Sequence, residues 1–367
     1  MATATTTLDP TPHPIWWQWL QRELASTPGR AATTVRIVVK VVLVVIISMA
    51  LQIPEVAISG YMVFFVSKEN KVLTTLTGIL MIVGVTIAIV VSLLAYRFTF
   101  DFPELRVPAM AVILFAGFYF SRVFAIGPLA FAIGFFIAAT QSIAELMPSA
   151  EYLVRSLLWL WVAITYPILL TVFVNQVLLP VSPPNHPAAG TPPKPRKPLI
   201  APDAFTNPAY YHFALKVTLA AMTCYILYTA VDWAGIHTAF ITCCFISLEN
   251  IGASLQKGAL RLGGCLVGGL LGFLSILYLI PRMEGIVSLS FLIAAGTALT
   301  GWVAAGSPRI AYAGLQIALA FYMCILQGLS PDTDFTKIRD RLIGILLGIA
   351  VTTLVYRYLW PEPEKPT

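Results

Sequence analysis

Charged residues are scarce in this sequence. Of its 367 residues, 11% are charged and 58% are hydrophobic, whereas an ordinary soluble domain has about 25% charged residues. A soluble chain of this length cannot bury so much apolar surface. The composition therefore excludes a soluble globular protein and predicts an all-α protein that crosses the lipid bilayer many times.

Motifs that carry catalytic chemistry are also missing. The five cysteines fall inside apolar runs and the four histidines are dispersed, so no spacing fits a metal site. The sequence has no nucleotide-binding loop, nucleophile elbow or HExxH motif, and we expect neither an enzyme nor a bound cofactor. The net charge of +6 is scattered over loops, which argues against nucleic acid as a partner. The polar N-terminus predicts no cleavable signal peptide.

Apolar runs fill the rest of the chain in two groups of six. A span across about 30 Å of hydrocarbon needs about 20 residues, and the second run of each group is shorter. The predicted spans are 34–53, 55–67, 73–95, 108–126, 128–146, 155–179, 212–231, 235–248, 259–280, 285–305, 310–328 and 340–359. An even number of spans in each group gives both groups the same orientation. The sequence therefore predicts about 12 transmembrane helices as two parallel six-helix repeats.

These runs also set the predicted segments of the chain, with both termini in the cytoplasm. The segments are a tail with an interfacial helix at 1–33, the first repeat at 34–179, a Pro-rich cytoplasmic linker at 180–211, the second repeat at 212–360 and a C-terminal tail at 361–367.

A short pattern recurs in the two groups. Each first span carries a lysine, Lys40 or Lys216, and each short second span is followed by a Glu-Asn pair. The aligned residues are Glu69 with Glu249, Asn70 with Asn250, Gly78 with Gly258, and Gly84 with Gly264. The distance from the lysine to the Glu-Asn pair differs by four residues. We therefore expect one loop or helical turn to be longer in the second half.

Basic residues lie near the cytoplasmic end of the first span in each half. Arg36 and Lys40 are four residues apart, as are His212 and Lys216, so each pair shares one helix face. A cation within a span is costly unless it faces a cavity or a partner. We predict that these four residues line the positively charged entrance of a substrate path. The alternative is that their side chains extend through the lipid to the headgroups.

A second set of charged residues follows the short span of each half. We predict that Glu69, Glu249, Lys257 and Arg261 couple transport to protons or form ion pairs at a gate. The alternative is an ordinary solvated loop.

Small and polar residues inside the predicted spans suggest close helix packing. Gly264, Gly268 and Gly272 recur every four positions, which is typical of a helix that another helix approaches closely. Five polar residues within the spans either line a path or bond between helices, namely Gln141, Asn175, Tyr312, Gln316 and Gln327.

Five stretches resemble a known family. They are Pro28-Gly29-Arg30, AFTNP at 204–208, VDWAGIHT at 231–238, QKGALRLGG at 256–264 and IRDRLIG at 338–344. They are similar to the fusaric acid resistance or aromatic acid exporter family, above all to inner-membrane subunits of multidrug efflux systems. The resemblance implies an exporter of aromatic acids or drugs in the bacterial inner membrane, driven by the proton gradient. It also implies a periplasmic adaptor and an outer-membrane channel as partners.

The resemblance leaves some points open. Family members carry large cytoplasmic domains after each membrane half, where this sequence has the linker and a short tail. Three functions remain: a transporter for small anionic aromatic compounds, a passive organic-anion channel of the same fold, and a scaffold subunit of an efflux assembly that does not itself transport.

Overall fold

The structure, a computed structural model, describes residues 15–68, 70–178, 198–248, 250–326 and 336–359. Within these ranges the chain is helical and forms no β-strand. The α-helices are α1 (Ile15–Leu24), α2 (Arg30–Ala50), α3 (Val56–Val66), α4 (Lys71–Thr99), α5 (Pro103–Val123), α6 (Gly127–Ser142), α7 (Ala150–Phe173), α8 (Pro208–Ala230), α9 (Thr238–Ile246), α10 (Ile251–Leu274), α11 (Gly285–Ala304), α12 (Ala311–Ile325) and α13 (Thr336–Tyr358).

Seven of the described helices are long and apolar enough to cross a membrane, namely α2, α4, α5, α7, α8, α10 and α11. The apolar helices α3, α6, α9 and α12 are shorter. Helix α13 has 23 residues and carries several charges in its first turns. A helix thus overlaps each predicted span, and length and composition support a full crossing for seven of them.

The outer face of α4 shows how these helices meet lipid. Its exposed large side chains include a series that recurs every three or four residues, namely Leu73, Leu76, Leu80, Val83, Ile87, Val90 and Leu94. The opposite face buries the polar residues Thr74 and Ser92. An apolar outside with polar groups turned inward is the arrangement that hydrocarbon favours.

Matching helices pack together in the two groups. Helix α4 packs on α6 and α7, and α10 packs correspondingly on α12 and α13. Helix α3 packs on α7, as α9 does on α13. Across the groups, α2 packs on α11 and α8 packs on α5. The first helix of each group therefore lies against the fourth helix of the other group.

The chain segments that precede α2 and α8 also dock in matching places. Before α2, the carbonyl oxygen of Leu24 accepts from Trp302 Nε1, at the end of α11, over 2.9 Å. Before α8, the carbonyl oxygen of Leu199 accepts from the amide of Ala125, which follows α5, over 2.9 Å.

The turns that join α2 to α3 and α8 to α9 have the same hydrogen bonds. Gln52 and Asp232 both have positive φ, 51° and 52°. The Gln52 amide donates to the Met49 carbonyl oxygen, and the Asp232 amide donates to that of Thr229. The two turns are therefore equivalent at an offset of 180 residues.

This offset corrects the predicted alignment of the lysines. Asn70 and Asn250, which follow the short helices, are also 180 residues apart, so neither loop is longer. The prediction of a longer turn in the second half was wrong. At this offset Lys216 corresponds to Arg36, and Lys40 corresponds to Ala220.

Candidate functional site

Arg261 lies on the buried face of α10, with an exposed fraction of 3%. Its Nε donates to Thr242 Oγ1 of α9 over 3.2 Å. Its Nη1 donates to Gln316 Oε1 over 3.1 Å and to the Tyr312 hydroxyl over 3.4 Å, both on α12. These acceptors are all neutral. Among the described residues the guanidinium therefore has no carboxylate partner, and a buried cation without a counter-ion is costly.

The close approach of α12 to α10 places Gln316 beside Arg261. A Cβ added at Gly264 would lie 2.6 Å from Gln316 Cβ and 2.9 Å from the Ala313 carbonyl oxygen. Gly268 meets the Ile317 carbonyl oxygen and Gly272 meets Cys324 in the same way. These glycines therefore determine how near the Arg261 acceptors on α12 can come.

A second glycine contact places Thr242. A Cβ added at Gly348 of α13 would lie 2.7 Å from Thr242 Cβ. The Thr242 hydroxyl donates to the Thr238 carbonyl oxygen over 2.7 Å, which leaves its oxygen free to accept from Arg261. Helix α13 thus packs against α9 at Thr242 and fixes the position of this Arg261 acceptor.

Aromatic rings surround the cationic groups. The Arg261 guanidinium lies 5.8 Å from the Phe245 ring centre, and Lys257 Nζ lies 5.2 Å from that of Tyr312. The Phe245 ring packs edge-on against Phe135 of α6, with ring centres 4.8 Å apart. The site therefore combines positive charge with aromatic surface at the contact between the two helix groups.

Two further side chains, Tyr61 and Arg341, lie within electrostatic range of Arg261. Neither was singled out from the sequence. Arg341 is three residues before Gly344, where an added Cβ would lie 3.0 Å from the Ile236 carbonyl oxygen and 3.1 Å from Thr238 Cβ. Residues three apart share a helix face, so the glycine spacing of α13 was a signal that Arg341 points inward.

The predicted entrance residues have partners within their own halves. Lys40 is 2% exposed, and its Nζ donates to Ser67 Oγ over 2.7 Å and to Asn175 Oδ1 over 3.3 Å. Lys216 is buried, with its Nζ 5.3 Å from the ring centre of Tyr356. The contacts of the two lysines do not bring them together.

The remaining predicted site residues are less informative. Arg36 and His212 are half-buried near the starts of α2 and α8. Glu69 and Glu249 lie outside the described residues.

Comparisons with known proteins bear on this site. Residues 220–355, which contain Arg261 and Arg341, match the family described as fusaric acid resistance protein-like. The resemblance predicted from the sequence is confirmed. Over 180 residues, 48% of this chain, the sequence is 41% identical to the multidrug resistance protein MdtO of Escherichia coli (strain K12). MdtO of Shigella flexneri matches with the same identity and coverage.

The matched region covers 26% of MdtO, so the chain spans about a quarter of the length of these curated relatives. No solved structure matches the chain.

Proposed function

We propose that this protein exports small aromatic acids or drugs across the bacterial inner membrane, driven by the proton gradient. The observation that carries the proposal is Arg261, a buried cation bonded to three neutral oxygens and flanked by aromatic rings. A ligand carboxylate would offset the cost of burying the guanidinium, and the ligand ring would pack on Phe245. The similarity to MdtO, a multidrug resistance protein, supports the same class of substrate.

The path in this proposal runs between two parallel six-helix repeats, α2–α7 and α8–α13, each of which crosses the membrane six times. The matching helix contacts and the matching turns support the repeat. The short helices α3 and α9 then leave room for an entrance on the cytoplasmic side. Both termini and the linker at 180–211 lie in the cytoplasm.

Each predicted site residue has a role in this proposal. Arg36, Lys40, His212 and Lys216 attract anions to the entrance, and Lys257 and Arg261 receive them. Glu69 and Glu249, which directly precede Asn70 and Asn250 in the sequence, carry the coupled protons. A periplasmic adaptor and an outer-membrane channel would take the exported compound onward.

Flux in proteoliposomes tests the proposal. 4-Hydroxybenzoate is loaded, and its movement is followed with and without a pH gradient, for wild type, Arg261→Met and the matched control Met81→Leu. Transport against a concentration gradient, abolished by a protonophore, is expected for wild type and Met81→Leu only. Downhill flux that ignores the pH gradient would indicate a passive channel, and no flux at all would indicate a scaffold subunit.

The entrance is tested separately with a Lys40→Gln/Lys216→Gln double variant. Because these lysines act at a distance from Arg261, we expect a raised KM with little change in the maximal rate. Unchanged kinetics would remove the entrance residues from the proposal but would not affect the role proposed for Arg261.

A further inference from the structure

A cavity of about 500 Å³ lies where α12 ends and where α3 and α13 begin. Both helix groups line it, with Glu55 and Ala57 from the first group and Met323 and Arg341 from the second. Cavities that hold small ligands have volumes of about 300–1,000 Å³. This cavity is therefore large enough for a single aromatic ring with its substituents.

Arg341 supplies the polar feature of this cavity. Its Nε and Nη2 are buried and have no hydrogen-bond partner of good geometry among the described residues, although the Cys265 thiol, a weak acceptor, lies nearby. Its Nη1 donates to Met323 Sδ over 3.1 Å, and a thioether is a weak acceptor. Leaving a buried donor unsatisfied is costly, so two guanidinium nitrogens are available for a pair of ligand oxygens. A carboxylate has the planar geometry that such a pair of donors binds.

The rest of the wall is mostly apolar and polarizable. Met323, Cys324, Leu326 and Ile338 line it, together with Gly269 of α10. Sulfur atoms and aliphatic groups pack well against aromatic rings. The chemistry of the wall therefore fits an aromatic body joined to an acidic group.

Charge in the wall favours a ligand with one negative charge. Lys337 and Arg341 provide two cations, and Glu55 provides one carboxylate, which lies within electrostatic range of Lys337. With all three ionised, the cations exceed the carboxylates by one among the described residues of the wall. A monovalent anion balances this wall.

The cavity lies next to the Arg261 site. Arg341 and Arg261 interact electrostatically, and Tyr61 of α3 is within electrostatic range of both. We propose that the cavity is a second binding site for anionic aromatic ligands, in which Arg341 takes over the carboxylate after it leaves Arg261. This inference rests on the proposed transport function, and it makes Arg341 a ligand-binding residue on the side of the membrane where the compound leaves.

Thiol protection tests this second site on the full chain. Methyl methanethiosulfonate modifies the purified protein at increasing concentrations of 4-hydroxybenzoate, and mass spectrometry follows Cys324, which lines the cavity. Cys224, whose Sγ lies 3.4 Å from Cys243 Sγ in a different cluster, is the internal control. We expect 4-hydroxybenzoate to protect Cys324 from modification, but not Cys224, both in wild type and in Arg261→Met.

Variants of Arg341 decide the result. In Arg341→Met, the concentration of 4-hydroxybenzoate that half-protects Cys324 should rise at least tenfold. Arg341→Lys keeps the charge but loses the paired donors, and a rise of several-fold is expected; this variant serves if Arg341→Met does not fold. An unchanged concentration in either variant, or no protection in wild type, overturns the second site. If the second site is overturned but Arg261→Met still abolishes flux, the proposed transport function stands without the second site.

Discussion

The α3–α4 hairpin of the first half and the α9–α10 hairpin of the second share a backbone design. Asn70 Oδ1 caps α4 by accepting from the Val72 amide, and Asn250 Oδ1 caps α10 by accepting from the Ala253 amide, each over 2.8 Å. The short helices before them end with nearly identical backbone angles. At the offset of 180 residues, however, Arg261 corresponds to Met81 and Thr242 corresponds to Met62.

The difference between the hairpins shows which residues determine the backbone and which determine the chemistry. Capping and glycine positions are retained in both halves. At these two corresponding positions the second half has a buried cation and its acceptor, Arg261 and Thr242, where the first half has two methionines. Of these matching positions, one carries a guanidinium bonded to neutral oxygens and the other a thioether, and our proposal places the anion at the former.

Placing a cation in the first half should have the largest effect. Met81 packs against an apolar cluster that includes Val85 and Leu157. Met81→Arg therefore buries a charge without the acceptors that Arg261 has, at a cost of about 3 kcal/mol or more. We expect a markedly lower melting temperature in detergent, whereas Met81→Leu should melt like wild type. Equal melting temperatures of Met81→Arg and Met81→Leu would show that the first half accommodates a cation at this position as well as the second half does.

Adding a methyl group at Gly264 should have the next largest effect. It would collide with Gln316 Cβ and with backbone, which costs about 1–3 kcal/mol. Gly263→Ala is the matched control because nothing lies within 4 Å of its added Cβ. Gly84→Ala, in the first half, meets the mobile Cδ1 of Leu129 at 2.7 Å and should cost less. Melting temperatures check the expected order, which is Gly263→Ala highest, then Gly84→Ala, then Gly264→Ala.

Removing the helix caps should have smaller and equal effects. Asn70→Ala and Asn250→Ala each lose one hydrogen bond of the same length, for which about 1 kcal/mol is typical. Thermal unfolding of the two variants should therefore give matching shifts. A shift in one variant only would contradict the equivalence of the hairpins.

The smallest expected effect is a pH dependence near α8. Hydrogen bonds from Asn207 and Tyr210 lower the pKa of the Asp203 carboxyl. Because the folded pKa lies below the unfolded value, the stabilisation is complete at neutral pH and is lost as the pH falls through the folded pKa. The hydrogen-exchange protection factor of the Asn207 amide, which donates to the Asp203 carbonyl oxygen, should fall only below about pH 4. Asp203→Asn should remove this pH dependence, and a wild-type change near neutral pH would contradict the assignment.

Much of the fold followed from the sequence because lipid constrains it strongly. Apolar runs predicted where helices lie, and the Glu-Asn and glycine pattern indicated a repeated hairpin. The glycine spacing at Gly264 also indicated a close helix approach, and α12 lies there.

The site was harder to predict because its residues come from separate helices. Arg261 was singled out as a gate residue, but nothing in the sequence shows that Thr242, Tyr312 and Gln316 would be its acceptors. Lys40 and Lys216 were aligned by residue type, although the turn geometry pairs Lys216 with Arg36. Local patterns do not contain the register between distant helices, which packing alone sets.

Equilibrium binding at Arg261 tests the account most directly. Calorimetric titration of the purified protein with 4-hydroxybenzoate would compare wild type, Arg261→Met and Met81→Leu. Loss of a carboxylate–guanidinium contact worth about 1.5–3 kcal/mol should weaken binding at this site at least tenfold in Arg261→Met. Met81→Leu should bind like wild type. Wild-type affinity in Arg261→Met would contradict the claim that the second half holds the anion site.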